Sequence, residues 1–127
     1  MHKSKLAGFI IDCQGPELES AAGFWGGALG MELRALPPEE ADSYVQLEDP
    51  LGALHIEVQT VTHPSRVHLD IETDDIEAEV ARLEKLGAKR IEAVKTWQVM
   101  EAPTGQRFCV VRAKKSLEGA PGVTSWP

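Results

Sequence analysis

Residues 44–52, YVQLEDPLG, and residues 97–105, WQVMEAPTG, decide how this chain is read. An aromatic, a glutamate, a proline and a glycine fall at the same offsets in both. Each stretch begins like a strand and ends in a Pro-containing turn closed by glycine, so each predicts a strand entering a hairpin turn. One such match could come from shared turn chemistry. The flanking sequence also matches, and that makes the chain an internal repeat.

Upstream of the first copy, Leu6 to Cys13 (LAGFIIDC) is a short apolar run bounded by Gln14-Gly15-Pro16, and it reads as a strand. Pro16 suits the first turn of a helix. Leu18, Ala21, Ala22, Trp25 and Leu29 then recur at helical spacing, and Gly30 closes the helix. Gly23, Gly26 and Gly27 each cost up to ~1 kcal/mol against Ala there, so a close neighbour is expected on that side. Met31 to Leu36, Ser43 to Glu48 and Ala53 to Val61 read as three strands. In the last of them His55, Glu57 and Gln59 share one face, and Leu54, Ile56 and Val58 the other.

Upstream of the second copy the order repeats. Arg66 to Glu72 (RVHLDIE) alternates Arg66, His68 and Asp70 against Val67, Leu69 and Ile71. Asp74, with Glu77 three residues on, has the form of a capping box. Ile76, Val80, Leu83 and Leu86 make the apolar stripe of a helix that Gly87 ends. The acidic run Glu72 to Glu79 reads as a solvated helix start, where carboxylates suit the helix dipole. Ile91 to Val94, Trp97 to Glu101 and Arg107 to Arg112 read as three more strands. Residues 116–127, SLEGAPGVTSWP, have no period and read as a loose tail. The fold class is α+β: two βαβββ modules, about 6–61 and 65–113, within one domain of residues 1–115. Side by side, each with its helix on the outer face, they would form a cupped mixed sheet whose inner faces line a cleft.

Composition narrows the function classes. The 127 residues suit one domain, which can bury roughly two-thirds of its unfolded surface without disulfides. A net charge of −7 is a poor match to nucleic acid, whose phosphates call for a basic stripe. No stretch approaches the ~20 apolar residues of a membrane span. The apolar run after the basic start stops at Asp12, too early for an export signal. Cys13 and Cys109 therefore read as reduced thiols of a cytoplasmic protein. No Walker loop, dinucleotide fingerprint or nucleophile elbow is present.

Several features together resemble the vicinal oxygen chelate superfamily of glyoxalases, bleomycin-resistance proteins and extradiol dioxygenases, and within it the small glyoxalase-like single-domain proteins. They are Phe24-Trp25 followed by Leu29-Gly30-Met31, Arg66-Val-His68-Leu-Asp70, and Pro103-Thr-Gly105 before the last strand. The resemblance covers roughly Leu6 to Ala113. It implies paired βαβββ modules, a homodimer, and a divalent metal held by side chains from the first and last strands of each module. Carried onto this sequence, that pattern gives Glu57 and His68 as ligands, with Cys109 where a glutamate is expected. The first strand has only Gly8 or Phe9 at the remaining position, and neither can ligate. Glu57, His68 and Cys109 would form a three-ligand set suited to Zn, Mn, Fe or Ni.

The residues also carry a reading without metal. An imidazole has an unperturbed pKa near ~6.5, which suits His68 to general-base work. Glu57 could hold the His68 tautomer, or act as a base itself. Arg66 could clamp a substrate carboxylate through two hydrogen bonds. Gln59 and His55 share the face of Glu57, and Trp97 could wall an apolar pocket. Each of these also has a plain role as an inward polar group or a packing residue. Two functions follow for a small-molecule ligand. One is a lyase or isomerase that moves a proton next to a carbonyl. The other is a metal-free protein that sequesters a small compound, as bleomycin-resistance proteins do.

Overall fold

The computed structural model describes residues 1–15, 17–38 and 43–127. The expectation for Pro16 lies outside the described residues. The elements are β1 (His2–Gln14), α1 (Leu18–Leu29), β2 (Leu33–Arg34), β3 (Tyr44–Glu48), β4 (His55–Val61), β5 (Arg66–Thr73), α2 (Ile76–Lys85), β6 (Lys89–Val94), β7 (Trp97–Glu101), β8 (Arg107–Arg112) and β9 (Thr124–Trp126). The order up to β8 is the βαβββ repeat in an α+β fold. The chain divides into two compact units, though not at the linker between the modules. One is Gly8–His68; the other is Met1–Ala7 with Leu69–Pro127. The boundaries fall inside β1 and β5.

In the Gly8–His68 unit the strand order is β2-β3-β4-β1, mixed and open. β1 and β4 are parallel, with Gly8 opposite His55, Ile10 opposite Glu57 and Asp12 opposite Gln59. β3 runs antiparallel to β4, placing Gln46 opposite Glu57 and Tyr44 opposite Gln59. Ile11, Leu47, Ile56 and Val58 pack with Ala22 of α1, joined by Phe9, Cys13 and Trp25 at the margin. Burying one such large aliphatic side chain contributes about 1.5–3 kcal/mol. Strand alternation then sends Gly8, Ile10, Asp12, His55, Glu57 and Gln59 to the face away from α1. Of the helix glycines, Gly26 has the expected close neighbour: a Cβ there would lie 2.9 Å from Leu33 Cδ2 and 3.0 Å from the Met31 carbonyl oxygen. Gly23 and Gly27 face open space.

In the other unit the order is β5-β8-β7-β6, with β5 and β8 parallel and β9 on the first residues of β1. Val80, Leu83, Met100 and Val110 form its core under α2, with Ile76 at the margin. Leu86 caps the helix C-terminus and is exposed instead of closing the stripe. Three further expectations are corrected here. Asp75, not Asp74, caps α2, accepting the Ala78 N–H at 3.1 Å. Asp74 is already committed, accepting the Lys3 N–H at 2.8 Å. Glu79 is not solvated but fully buried, receiving hydrogen bonds from Arg82 at 2.9 and 2.7 Å and bonded to His2 Nε2 at 2.8 Å. Residues 124–126 are a strand, not a loose tail: β9 pairs antiparallel with His2–Ser4, and the Trp126 indole N–H donates to Ser4 Oγ at 2.9 Å. The Arg82 guanidinium lies 3.8 Å over the Trp126 ring. A three-residue strand is too short to show a period, and its partner is at the far end of the chain.

No helix among the described residues is long and apolar enough to cross a membrane.

Candidate functional site

The face of the Gly8–His68 unit away from α1 holds most of the expected site residues, and three that sequence reasoning missed. Asp12 is the last acidic residue of β1, and its side chain is 2% exposed. Its Oδ2 lies 2.7 Å from Nδ1 of His68 on β5. An ionised carboxylate only accepts hydrogen bonds, so Nδ1 carries the proton and donates it. That leaves the lone pair of neutral His68 on Nε2. The Arg66 Nε lies 3.8 Å from the same oxygen, a loose ion pair, with Arg66 nearly half exposed. The second oxygen, Asp12 Oδ1, is buried with no hydrogen-bond partner. A buried unpaired acceptor costs about 1–3 kcal/mol, so this site carries a cost that packing alone does not explain.

Glu57 does not hold the His68 tautomer; Asp12 does. Glu57 instead meets His55 two residues earlier on its own strand, Oε2 to Nε2 at 2.9 Å. Gln46 Nε2 lies 3.5 Å from His55 Nδ1, at the edge of hydrogen-bond reach. Gln59 donates from Nε2 to the Tyr44 hydroxyl at 2.9 Å. Within this unit the fold therefore brings together His68, Arg66, Glu57, His55 and Gln59, and adds Asp12, Gln46 and Tyr44. Trp97 and Cys109 belong to the other unit. There Cys109 stands opposite Asp70 and Val99, and Val110 beside it is buried against α2. Alternation along β8 thus sets the thiol on the face away from the helix. Asp12 was legible only as a charge ending an apolar run. Counting by twos from Gly8 would have placed it on the face of the candidate ligands.

Both cysteines are free thiols. Burial pushes the Cys13 thiol up from its ordinary range, only partly offset by an interaction with Trp25. It belongs to the packing around α1.

At its first-strand position the metal pattern of the superfamily is not reproduced. At Gly8 an added Cβ would sit 1.9 Å from the His55 carbonyl oxygen, because β1 and β4 approach there backbone to backbone. No side chain, ligating or otherwise, fits that position. Of the expected donors, Glu57 meets His55, and His68 meets Asp12 through Nδ1, the geometry a ligating imidazole also uses.

The matched family model is a glyoxalase-like domain, and it covers residues 8–111. The chain belongs to the glyoxalase-like domain family. Its structural neighbours share the fold. A hypothetical protein from Bacillus halodurans C-125 superposes with a TM-score of 0.64 at 17% identity, covering 89% of this chain and 96% of that one. Methylmalonyl-CoA epimerase from Mycobacterium tuberculosis gives 0.58 at 16% identity, covering 91% and 92%. A glyoxalase/bleomycin resistance protein/dioxygenase superfamily member from Vibrio splendidus 12B01 gives 0.54 at 16% identity, covering 84% and 97%. A search of curated proteins finds none that matches this chain. At such identities the neighbours establish the fold, and the glyoxalase-like family shares it.

Proposed function

We propose that this glyoxalase-like protein is a lyase or isomerase that moves a proton on the carbon next to a carbonyl, with His68 as the base. The observation that carries this reading is the 2.7 Å bond between buried Asp12 and His68. In the reaction His68 Nε2 takes the proton, the C–H bond breaks, and its electron pair moves onto the carbonyl oxygen. Asp12 steadies the imidazolium that forms, and the same nitrogen returns the proton to the carbon skeleton. Arg66, nearly half exposed beside Asp12, offers a carboxylate-bearing substrate two parallel hydrogen bonds. Likeness in fold to an epimerase supports the reaction class, and Glu57 with His55 supplies a second acid–base pair on the same face. The natural setting of this reading is a cytoplasmic homodimer acting on a small molecule.

The test is deuterium wash-in from heavy water, followed by proton NMR over a panel of 2-oxo acids, 2-hydroxy aldehydes and acyl thioesters. Exchange at the carbon next to the carbonyl is expected, and it should vanish in His68→Ala while the melting temperature holds. Exchange that persists in His68→Ala would overturn the assignment of the base.

The closure of Gly8 against His55 favours a second reading, a binding protein of the bleomycin-resistance kind that needs no metal. It predicts stoichiometric binding of an aromatic or cationic compound that quenches Trp97, with no exchange activity. Native mass spectrometry before and after chelation tests a metal-assisted form of the first reading. One Zn, Mn, Fe or Ni per chain, lost in Glu57→Ala or His68→Ala, would assign that form.

A further inference from the structure

Five of the six arginines in this acidic chain have a carboxylate partner: Arg34 with Glu48, Arg66 with Asp12, Arg82 with Glu79, Arg90 with Glu77 and Arg107 with Glu101. The sixth, Arg112, has no such partner among the described residues. It ends β8 and lines a cavity of about 320 Å³ together with Lys3, Lys114 and Lys115. Lys114 and Lys115 also lack an ion-pair partner among the described residues.

Two carboxylates line the same cavity and offset only part of its positive charge. Asp74 is turned to the backbone of β1, where its Oδ1 accepts the Lys3 N–H at 2.8 Å. Glu118 reaches Lys3 Nζ at 3.2 Å, but its side chain is 81% exposed and the pair is weak. Four cations thus converge against two carboxylates in a protein whose net charge is −7. The segment that presents three of them is anchored. Ala113 N–H donates to the Thr73 carbonyl at 2.9 Å, Leu117 is buried, and Glu118 N–H donates to Ser116 Oγ at 3.2 Å. Arg112, Lys114 and Lys115 are exposed, and their summed field would draw an anion to this segment. The volume is at the small end of the ~300–1,000 Å³ usual for ligand pockets and leaves ample room for one or two phosphate groups.

We propose that this cavity is a phosphate site, taking a phosphate or diphosphate group of a soluble small molecule. Arg112 supplies the planar, bidentate donor, and Lys114, Lys115 and Lys3 supply point charges. The site stands apart from the reading of His68 and holds or fails without it.

The test is a titration of the ¹⁵N-labelled protein with inorganic phosphate and with pyrophosphate, followed by amide NMR. Saturable shifts are expected in residues 112–118, with pyrophosphate the tighter ligand. Arg112→Ala and the double variant Lys114→Ala/Lys115→Ala should each weaken binding about tenfold or more. The control pair Lys85→Ala/Lys89→Ala, which removes the same charge from α2 and β6, should leave binding unchanged. The amide spectrum reports in the same experiment that each variant is folded. Shifts that never saturate, shifts centred elsewhere, or equal weakening in the control pair would overturn the proposal. So would binding confined to vesicles of anionic phospholipid with none to the soluble phosphates.

Discussion

Replacing Asp12 by Asn tests the centre of the site without requiring the substrate. The wild-type carboxylate is 2% exposed and makes one charge-assisted bond of 2.7 Å through Oδ2, worth about 1.5–3 kcal/mol. Its other oxygen is buried without a partner, at a cost of about 1–3 kcal/mol. The two nearly offset, and Asn keeps the shape while removing a buried charge. Stability of Asp12→Asn should therefore stay within about 1 kcal/mol of wild type by urea denaturation. The tautomer of His68 should respond much more. Asp12 can only accept, which enforces the Nδ1–H form. Asn can turn its amide N–H toward Nδ1 and favour the opposite form. Long-range ¹H–¹⁵N NMR of the neutral imidazole should show one Nδ1–H tautomer in the wild type and its loss in Asp12→Asn. Proton exchange on any active substrate should fall by about 10²–10⁴. A loss of more than about 3 kcal/mol with an unchanged tautomer would refute the argument, because Asp12 would then be a structural anchor.

Gly8→Ala pushes a methyl into the His55 carbonyl, where the neighbour is backbone and cannot turn aside; thermal melting should show a loss of about 3 kcal/mol or more, and near-wild-type melting would mean that β1 and β4 do not approach so closely. Glu79→Ala leaves Arg82 and His2 without their buried partner and should cost about 3–5 kcal/mol in chemical denaturation, with Glu79→Gln closer to wild type. Burial by itself pushes the Glu79 carboxyl up, but hydrogen bonds from Arg82, His2 and Ser4 with the charge of Arg82 outweigh it and hold the group below its ordinary range. Its stabilisation is therefore full above the ordinary carboxylate range and is lost as pH falls through the lowered value. Wild type should weaken on acidification over that window, and Glu79→Gln should be flatter there; parallel curves would remove Glu79 from the account.

Local pattern alone carried the repeat. Period-two alternation in residues 55–59 and 66–71, the helical stripe from Leu18 to Leu29, and the two Pro–Gly turns are nearest-neighbour signals, so the elements and their order were legible in the residues. So was the face shared by His55, Glu57 and Gln59, since a strand places every second side chain together. Partnership was not legible. Asp12 and His68 lie 56 positions apart, His2 and Glu79 lie 77, and Trp126 and Ser4 lie 122. Asp12 looked like the end of an apolar run, Glu79 like one charge in a solvated helix, and residues 116–127 like a loose end. Each became something else only when strand register brought a distant partner to it. The same register put the His55 backbone where a side chain at Gly8 would have to stand. Periodicity is a property of adjacent residues and survives in the sequence, whereas hydrogen-bond pairing and burial depend on which distant strands lie side by side, and the tertiary fold alone decides that.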